Sequence, residues 1–336
     1  MLDRRRALAG GLAAAALLPV AAPRRADAQR KPLTKVRYNE VVRSILYAPA
    51  YVAIAKGYFE QAGLDVAMTT AQGGDKSMAA LLGNAADIAL MGPETAIYVM
   101  TSDSPTKVRI FCGLTSTDGF MLLGREKVDK FDWSMLKGKE ILGFRPGSTP
   151  LLYLEAAMRQ NGIDPQKDVK LVNNVAIPAR VGSWLAGQNQ YAIFIEPDAS
   201  QLELDGKAHF LASIGETIGP ADYTVFMATD KYIGENAEAV QSWTNAIHKA
   251  QQWTESATPE EIAKALEPFF PGVKLQALNA AAERYRRLKI WKNTPVIEEK
   301  PMEKFQDILI AGHVLEPAKR VKFQELMRPE FAQKAK

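Results

Sequence analysis

Two stretches far apart in this chain follow one plan. Leu81-Leu82-Gly83-Asn84-Ala85-Ala86-Asp87-Ile88-Ala89-Leu90 and Leu185-Ala186-Gly187-Gln188-Asn189-Gln190-Tyr191-Ala192-Ile193-Phe194 each run from a helix end through a glycine into a short apolar strand. Strands that alternate with amphipathic helices at this spacing predict a mainly parallel sheet with helices on both faces. Because the plan restarts, two similar α/β lobes are expected rather than one large sheet. A length of 336 residues is enough for two such lobes with a cleft between them.

The first half begins with a strand at 36–42. Tyr51, Ile54, Ala55, Tyr58 and Phe59 then share one face of a helical period, with Gly63 placed to end that helix. A strand at 64–70, a helix around 77–82 and a strand at 88–91 follow. Pro93 can open a third helix, since its missing N–H would be unpaired at that position anyway. Strands at 108–114 and 120–124 complete this half. The second half offers strands at 141–144, 169–175 and 192–195, with helices at 150–160 and 179–185. Beyond Asp230 the pattern is helical and amphipathic, as in 240–253 and 275–291, and its Trp and Leu residues are expected to pack against the lobes.

Arg4-Arg5-Arg6 leads into an Ala- and Leu-rich run over 7–22 that ends at Ala26-Asp27-Ala28, the pattern of a cleavable secretory signal over 1–28. Arg5-Arg6-Ala7-Leu8 resembles the twin-arginine export motif in part, so that route and the general secretory route both stay open. The mature chain is expected to start near Gln29 and to work in the periplasm. The leader holds five Arg against Asp3 and Asp27, so removing it lowers the formal charge of +4 to about +1. A body so near neutrality argues against nucleic acid or an anionic membrane as the main partner.

Catalytic signatures are missing from the sequence. Cys112 is the single cysteine, which excludes an internal disulfide, and it falls within an apolar strand where an inert buried thiol is expected. His209, His248 and His313 lie in different elements without zinc-ligand spacing. No phosphate-binding loop follows a strand in the mature chain, and no Gly-x-Ser-x-Gly elbow occurs. Neither an enzyme nor a cofactor is therefore expected.

Several segments resemble one family. Ala50-Tyr51-Val52-Ala53-Ile54-Ala55-Lys56-Gly57-Tyr58-Phe59 with Gly63-Leu64-Asp65-Val66, then Gly73-Gly74 with Leu82-Gly83-Asn84-Ala85-Ala86-Asp87-Ile88-Ala89, and finally Ile195-Glu196-Pro197 carry the likeness. They are similar to the periplasmic solute-binding proteins that serve ABC importers for nitrate, taurine, aliphatic sulfonates and thiamine-precursor pyrimidines. The resemblance implies a two-lobe type II binding-protein fold with a helical C-terminal part. Lobe one would be 29–117 and 222–336, and lobe two 118–221, with crossovers near 116–119 and 216–223 as the hinge. It further implies a monomer that captures a small molecule and delivers it to an inner-membrane permease. Thiamine-pyrimidine synthases share that fold but use a histidine and a cysteine cluster that one cysteine cannot supply.

Within such a fold the candidate pocket lies at strand-to-helix turns, where helix N-termini present unpaired N–H groups. Ser44 and Tyr47 stand at the first such turn, Glu94 and Thr95 at the second, and Gly147, Ser148 and Thr149 at the lobe-two turn. Thr117, Glu196 and Tyr223 are expected at the edges. Plain helix capping is the competing reading of each hydroxyl. The expected ligand is a sulfonate-, taurine- or nitrate-like anion, which Arg43 and Arg145 would suit; the alternative is a thiamine-precursor pyrimidine or other N-heterocycle, whose N–H donors Glu94 and Glu196 would favour, with Tyr47, Tyr51 or Tyr223 to stack on it.

Overall fold

The computed structural model describes residues 32–336, so the leader and its cleavage site lie outside the described residues. Among the described residues ten strands form two five-stranded sheets. The first joins β1 (Thr34–Glu40), β2 (Leu64–Thr70), β3 (Ile88–Met91), β4 (Val108–Gly113) and β10 (Val225–Thr229) in the order β2-β1-β3-β10-β4. The second joins β5 (Met121–Gly124), β6 (Glu140–Leu142), β7 (Lys170–Val172), β8 (Tyr191–Phe194) and β9 (His209–Ser213) in the order β7-β6-β8-β5-β9. The chain thus passes from one sheet to the other between Gly113 and Met121 and returns between Ser213 and Val225.

Neither sheet is as parallel as the alternating pattern implies. β1 runs parallel to β2 and β3, but β10 lies antiparallel between β3 and β4. Likewise β6 is parallel to β7 and β8, while β5 lies antiparallel between β8 and β9. The reason is topological: β5 and β10 are the first strands after each passage, so each enters its sheet from the direction opposite to its neighbours. β9 and β10 escape a reading based on strand-helix alternation, although Val225-Phe226-Met227-Ala228 is a continuous apolar run that is wholly buried.

The helix expected across residues 51–63 is two. Ala48–Ala55 ends before Gly57, whose φ of 65° is left-handed, and Tyr58–Gln61 restarts beyond it. The apolar face is kept while the axis turns. Phe59 meets Trp243 of the helix Ala237–Ser256 at 4.3 Å between ring centroids, and Trp243 also packs edge-on to Tyr38 at 5.2 Å and to Phe226 at 5.4 Å. This places the C-terminal helix against the first sheet, as the burial of its tryptophan suggested. Trp291 instead turns its indole N–H toward the Ile45 and Leu46 carbonyls, at 3.2 and 3.1 Å.

A buried ion pair ties the C-terminal helices to the end of β8. Arg284, on the helix Leu275–Arg287, donates to Glu196 Oε1 at 2.8 Å and also holds Glu203. Ser200 donates to both Glu196 carboxylate oxygens, through Oγ to Oε1 and through its backbone N–H to Oε2, each at 2.9 Å. Burial pushes the Glu196 carboxyl up and the Arg284 charge draws it back. An Arg284→Met substitution leaves that fully buried carboxylate without its cation and is expected to cost about 3–5 kcal/mol. Urea unfolding at pH 7.5 measures it, and a loss below about 1 kcal/mol would show that the pair holds nothing together.

Candidate functional site

The carboxyl ends of β1, β2 and β3 in one sheet and of β6 and β8 in the other converge on one cavity of about 400 Å³. Open α/β sheets leave this edge free for a ligand because helix N-termini and loose loops meet there. The walls are mainly apolar and aromatic. Val41, Val42, Leu46 and Tyr47 come from the turn after β1, Phe144 from the turn after β6, Ile195 from the end of β8, and Phe120 and Tyr223 from the two passages between the sheets. Phe120 and Phe144 meet edge to face at 5.0 Å and 78°.

Glu94 supplies the cavity's most unusual polar group. It lies in the first turn of the helix Pro93–Thr101, which Pro93 starts directly after β3. A helix N-terminus favours a carboxylate by at most about 1 kcal/mol here, less than one pKa unit downward. Burial acts the other way and prevails, raising the Glu94 carboxyl to about 7 even though the Thr149 hydroxyl and nearby N–H groups pull it down. Its Oε2 is enclosed and makes no well-directed hydrogen bond, and neither does the Oγ1 of Thr149. Both atoms crowd the same spot beside Gly92. A Cβ placed there would come within 2.0 Å of Glu94 Oε2 and 2.4 Å of Thr149 Oγ1, so only glycine leaves room for them. Burial raises the phenols of Tyr47, Tyr98, Tyr153 and Tyr223, and the nearby Glu94 charge adds to that rise.

Contacts between the two halves close one side of the cavity. Arg145 donates both terminal nitrogens to Asp75, at 2.8 and 3.0 Å, and Tyr98 Oη donates to the Gly147 carbonyl at 2.9 Å. The Gly147 φ of 75° lets the loop turn its carbonyl toward Tyr98. Val314, which follows the helix Glu299–Ala311, completes the rim beside Gly147.

Of the residues singled out from the sequence, Tyr47, Glu94, Thr95, Gly147, Ser148, Thr149 and Tyr223 line this cavity, while Ser44, Thr117 and Glu196 do not. Ser44 caps its own turn by accepting from Leu46 N and donates to the Glu196 carbonyl at 2.6 Å. Thr117 Oγ1 donates to the carbonyls of Gly219 and Gly215 at 2.9 and 3.2 Å, and the Glu196 carboxylate is held by Arg284 and Ser200. Each of the three therefore spends its polar atoms on the joint between the sheets. Arg43 binds Glu40 at 2.8 Å, and Tyr51 donates to Glu40 at 2.6 Å while stacking on Phe269, so neither faces the cavity. Simple capping does not describe the lobe-two turn either: Ser148 donates back to the Arg145 carbonyl at 2.6 Å, and no side-chain cap bond forms at that helix start.

Tyr98, Asp75, Phe120 and Phe144 are among the lining residues that sequence reasoning missed, as are the apolar Val41, Val42 and Leu46. A signal existed for Tyr98, which stands four residues after Glu94 and hence on the same face of its helix. Among the described residues no group of three or more His, Cys, Asp and Glu side chains is gathered so as to hold a metal ion. Cys112 is fully buried, and burial raises its thiol well above the usual range.

This architecture has known counterparts. A family model described as NMT1/THI5 like matches residues 45–262. YtlA of Bacillus subtilis (strain 168), named as a binding protein, is 39% identical over 306 residues, 91% of each chain. Among solved structures, the alkanesulfonate-binding protein SsuA from Xanthomonas axonopodis pv. citri bound to MOPS superposes with a TM-score of 0.69 at 18% identity, covering 85% of this chain and 96% of its own. The periplasmic nitrate-binding protein NrtA from Synechocystis PCC 6803 superposes with a TM-score of 0.63 at 19% identity, covering 74% and 70%. Identities this low show the fold alone, which is the two-lobe fold of periplasmic binding proteins. Through the family model and the Bacillus relative, the chain belongs to the NMT1/THI5-like family.

Proposed function

We propose that this protein is the extracytoplasmic solute-binding component of an ABC importer, and that its solute is a small nitrogen heterocycle bearing N–H donors, of the aminopyrimidine kind. One observation carries the choice of ligand: the enclosed Glu94 Oε2 at the cavity wall makes no well-directed hydrogen bond within the protein. A buried acceptor left unpaired costs about 1–3 kcal/mol, which a ligand N–H placed against it recovers. The flanking tyrosines and phenylalanines suit a flat ring.

A sulfonate-, taurine- or nitrate-like anion is the competing reading, and the names of the fold's neighbours favour it. It needs an available cation. Arg145, the arginine that lines the cavity, already holds Asp75 in a bidentate pair, so an anion would have to displace a carboxylate and also lie near Glu94. Binding without turnover fits a wall whose polar groups are hydroxyls, one carboxyl and one ion pair.

In this proposal residues 29–117 and 222–336 form lobe one, 118–221 form lobe two, and the two passages between the sheets act as the hinge. The Arg145–Asp75 and Tyr98–Gly147 contacts then belong to the form in which the halves meet. A monomer that closes on its solute in the periplasm and presents that shape to a permease completes the reading. Ligand at about 100 times its dissociation constant would add roughly 2.7 kcal/mol to folding stability.

Titration calorimetry with 4-amino-5-hydroxymethyl-2-methylpyrimidine, ethanesulfonate, taurine and nitrate separates the two readings. The pyrimidine is expected to bind and the anions not, and at pH 8, above the Glu94 pKa of about 7, Glu94→Gln is expected to weaken the pyrimidine about 10- to 150-fold, as for a hydrogen bond to a charged group. Binding of an anion alone, unaffected by Glu94→Gln, would overturn the heterocycle reading.

The empty protein carries a second test. Folded Glu94 keeps its proton to about pH 7, whereas the unfolded chain releases it near 4.5. The folded state therefore binds more protons across that window, and stability must fall as pH rises through it. Glu94→Gln is expected to remove this fall, on the order of 3 kcal/mol by pH 8. A fall at least as large from Asp118, which burial also raises to about 7 from a lower starting value, should remain in both proteins. Denaturant midpoints from pH 4.5 to 8 measure both, and parallel curves for the two proteins would contradict the burial of an uncompensated carboxyl.

A further inference from the structure

Arg180 is a buried cation at the back of the aromatic wall, only 3% exposed. It opens the short helix Arg180–Leu185, three residues after Ile177, which lines the cavity. The ladder between β6 and β8 stops where Leu142 stands opposite Ala192, and the guanidinium occupies the gap beyond it. It donates to the carbonyls of Leu142 at 3.2 Å and Ile193 at 2.8 Å, and to that of Gly143. Its central carbon lies 3.7 Å from the centroid of Phe144, whose ring is partly exposed to the cavity and meets Phe120 edge to face. Asp198 is the acid whose charge acts on it, and burial pulls the Arg180 pKa down to about 9, still well above neutral pH.

We infer that Arg180 is a positioning residue for ligand selection: it clamps the splayed ends of β6 and β8, fixes the Phe144 ring as a wall of the cavity, and makes that wall favour a neutral ring over a cationic one. The physical basis is the ring quadrupole. A guanidinium against one face of Phe144 already engages its negative potential and places a like charge behind it, so a cation stacking on the opposite face gains less and is repelled. A neutral ring escapes that repulsion and keeps the stacking contact. Glu94 on the other half asks for an N–H donor, so the two walls together select a neutral heterocycle that donates. This selectivity rests on the heterocycle reading above, whereas the positioning of Phe144 does not.

Calorimetry with 4-amino-5-hydroxymethyl-2-methylpyrimidine and its N1-methyl pyrimidinium cation, on the wild type and on Phe144→Leu, Arg180→Lys and Arg180→Met, tests the inference alongside crystal structures of the Arg180 variants. The wild type should prefer the neutral probe. Phe144→Leu should weaken that probe roughly 3- to 10-fold. Arg180→Met should narrow the neutral-to-cation preference and let Phe144 leave its position. Should Arg180→Met fail to fold, Arg180→Lys keeps the charge but cannot span three carbonyls and stack at once, so a displaced Phe144 is again expected. A folded Arg180 variant with Phe144 unmoved and the preference unchanged would overturn the inference. If the wild type binds neither probe, the heterocycle reading falls by itself. The crystal structures then decide the positioning role: a displaced Phe144 supports it and an unmoved ring overturns it.

Discussion

A carboxyl group enclosed between two sheets with hydroxyls and aromatic rings around it, and no cation beside it, is costly to ionise. Glu94 is in that situation because three local features coincide: β3 ends at the cavity, Pro93 starts a helix at once, and Gly92 leaves no side chain in the way. The opposite half answers with Thr149, which begins its own helix after β6. Neither group finds a well-directed partner within the protein, so the polar demand of both is left to whatever enters between the halves. Most other polar groups nearby are committed. Arg145 is held by Asp75, Ser148 by the Arg145 carbonyl, Thr95 by the Gly92 carbonyl and Tyr98 by the Gly147 carbonyl.

The joint between the sheets is built differently. There charge is buried with its complement: Glu196 with Arg284, and Asp222 with Lys292 at 2.9 Å. Tyr285 donates to the Gly119 carbonyl and accepts from Glu196 N, which ties one passage between the sheets to the end of β8. A satisfied joint and an unsatisfied cavity form a consistent division. Rigid, fully paired contacts set where the two edges meet, and the unpaired groups are confined to the place where a ligand can supply what is missing.

The α/β class, the two-lobe plan and most element positions were legible in the residues, because they rest on hydrophobic periodicity and on Gly and Pro punctuation. Gly57 shows the limit of that reading: the apolar face runs on through Tyr58 and Phe59, so periodicity alone joined two helices that a left-handed residue separates. β10 was overlooked because it stands outside the strand-helix alternation, and its antiparallel pairing is set by a passage that local sequence does not encode. In the site, the turns recognised from their hydroxyls and helix starts include Thr95, Ser148 and Thr149, which line the cavity. Ser44 and Glu196 were misplaced because their partners, one another and Arg284, are distant in sequence. Arg43 and Arg145 looked available for an anion since nothing in the chain order reveals that Glu40 and Asp75 already hold them.

The chemistry of the molecule held in the cavity decides between a neutral heterocycle and an anion. Native mass spectrometry of the protein isolated gently from cells making it, followed by identification of the released small molecule, reads this most directly. One neutral nitrogen heterocycle per chain, lost from Glu94→Gln, is the predicted result. A sulfonate or other anion at that stoichiometry, retained equally by Glu94→Gln, would contradict it.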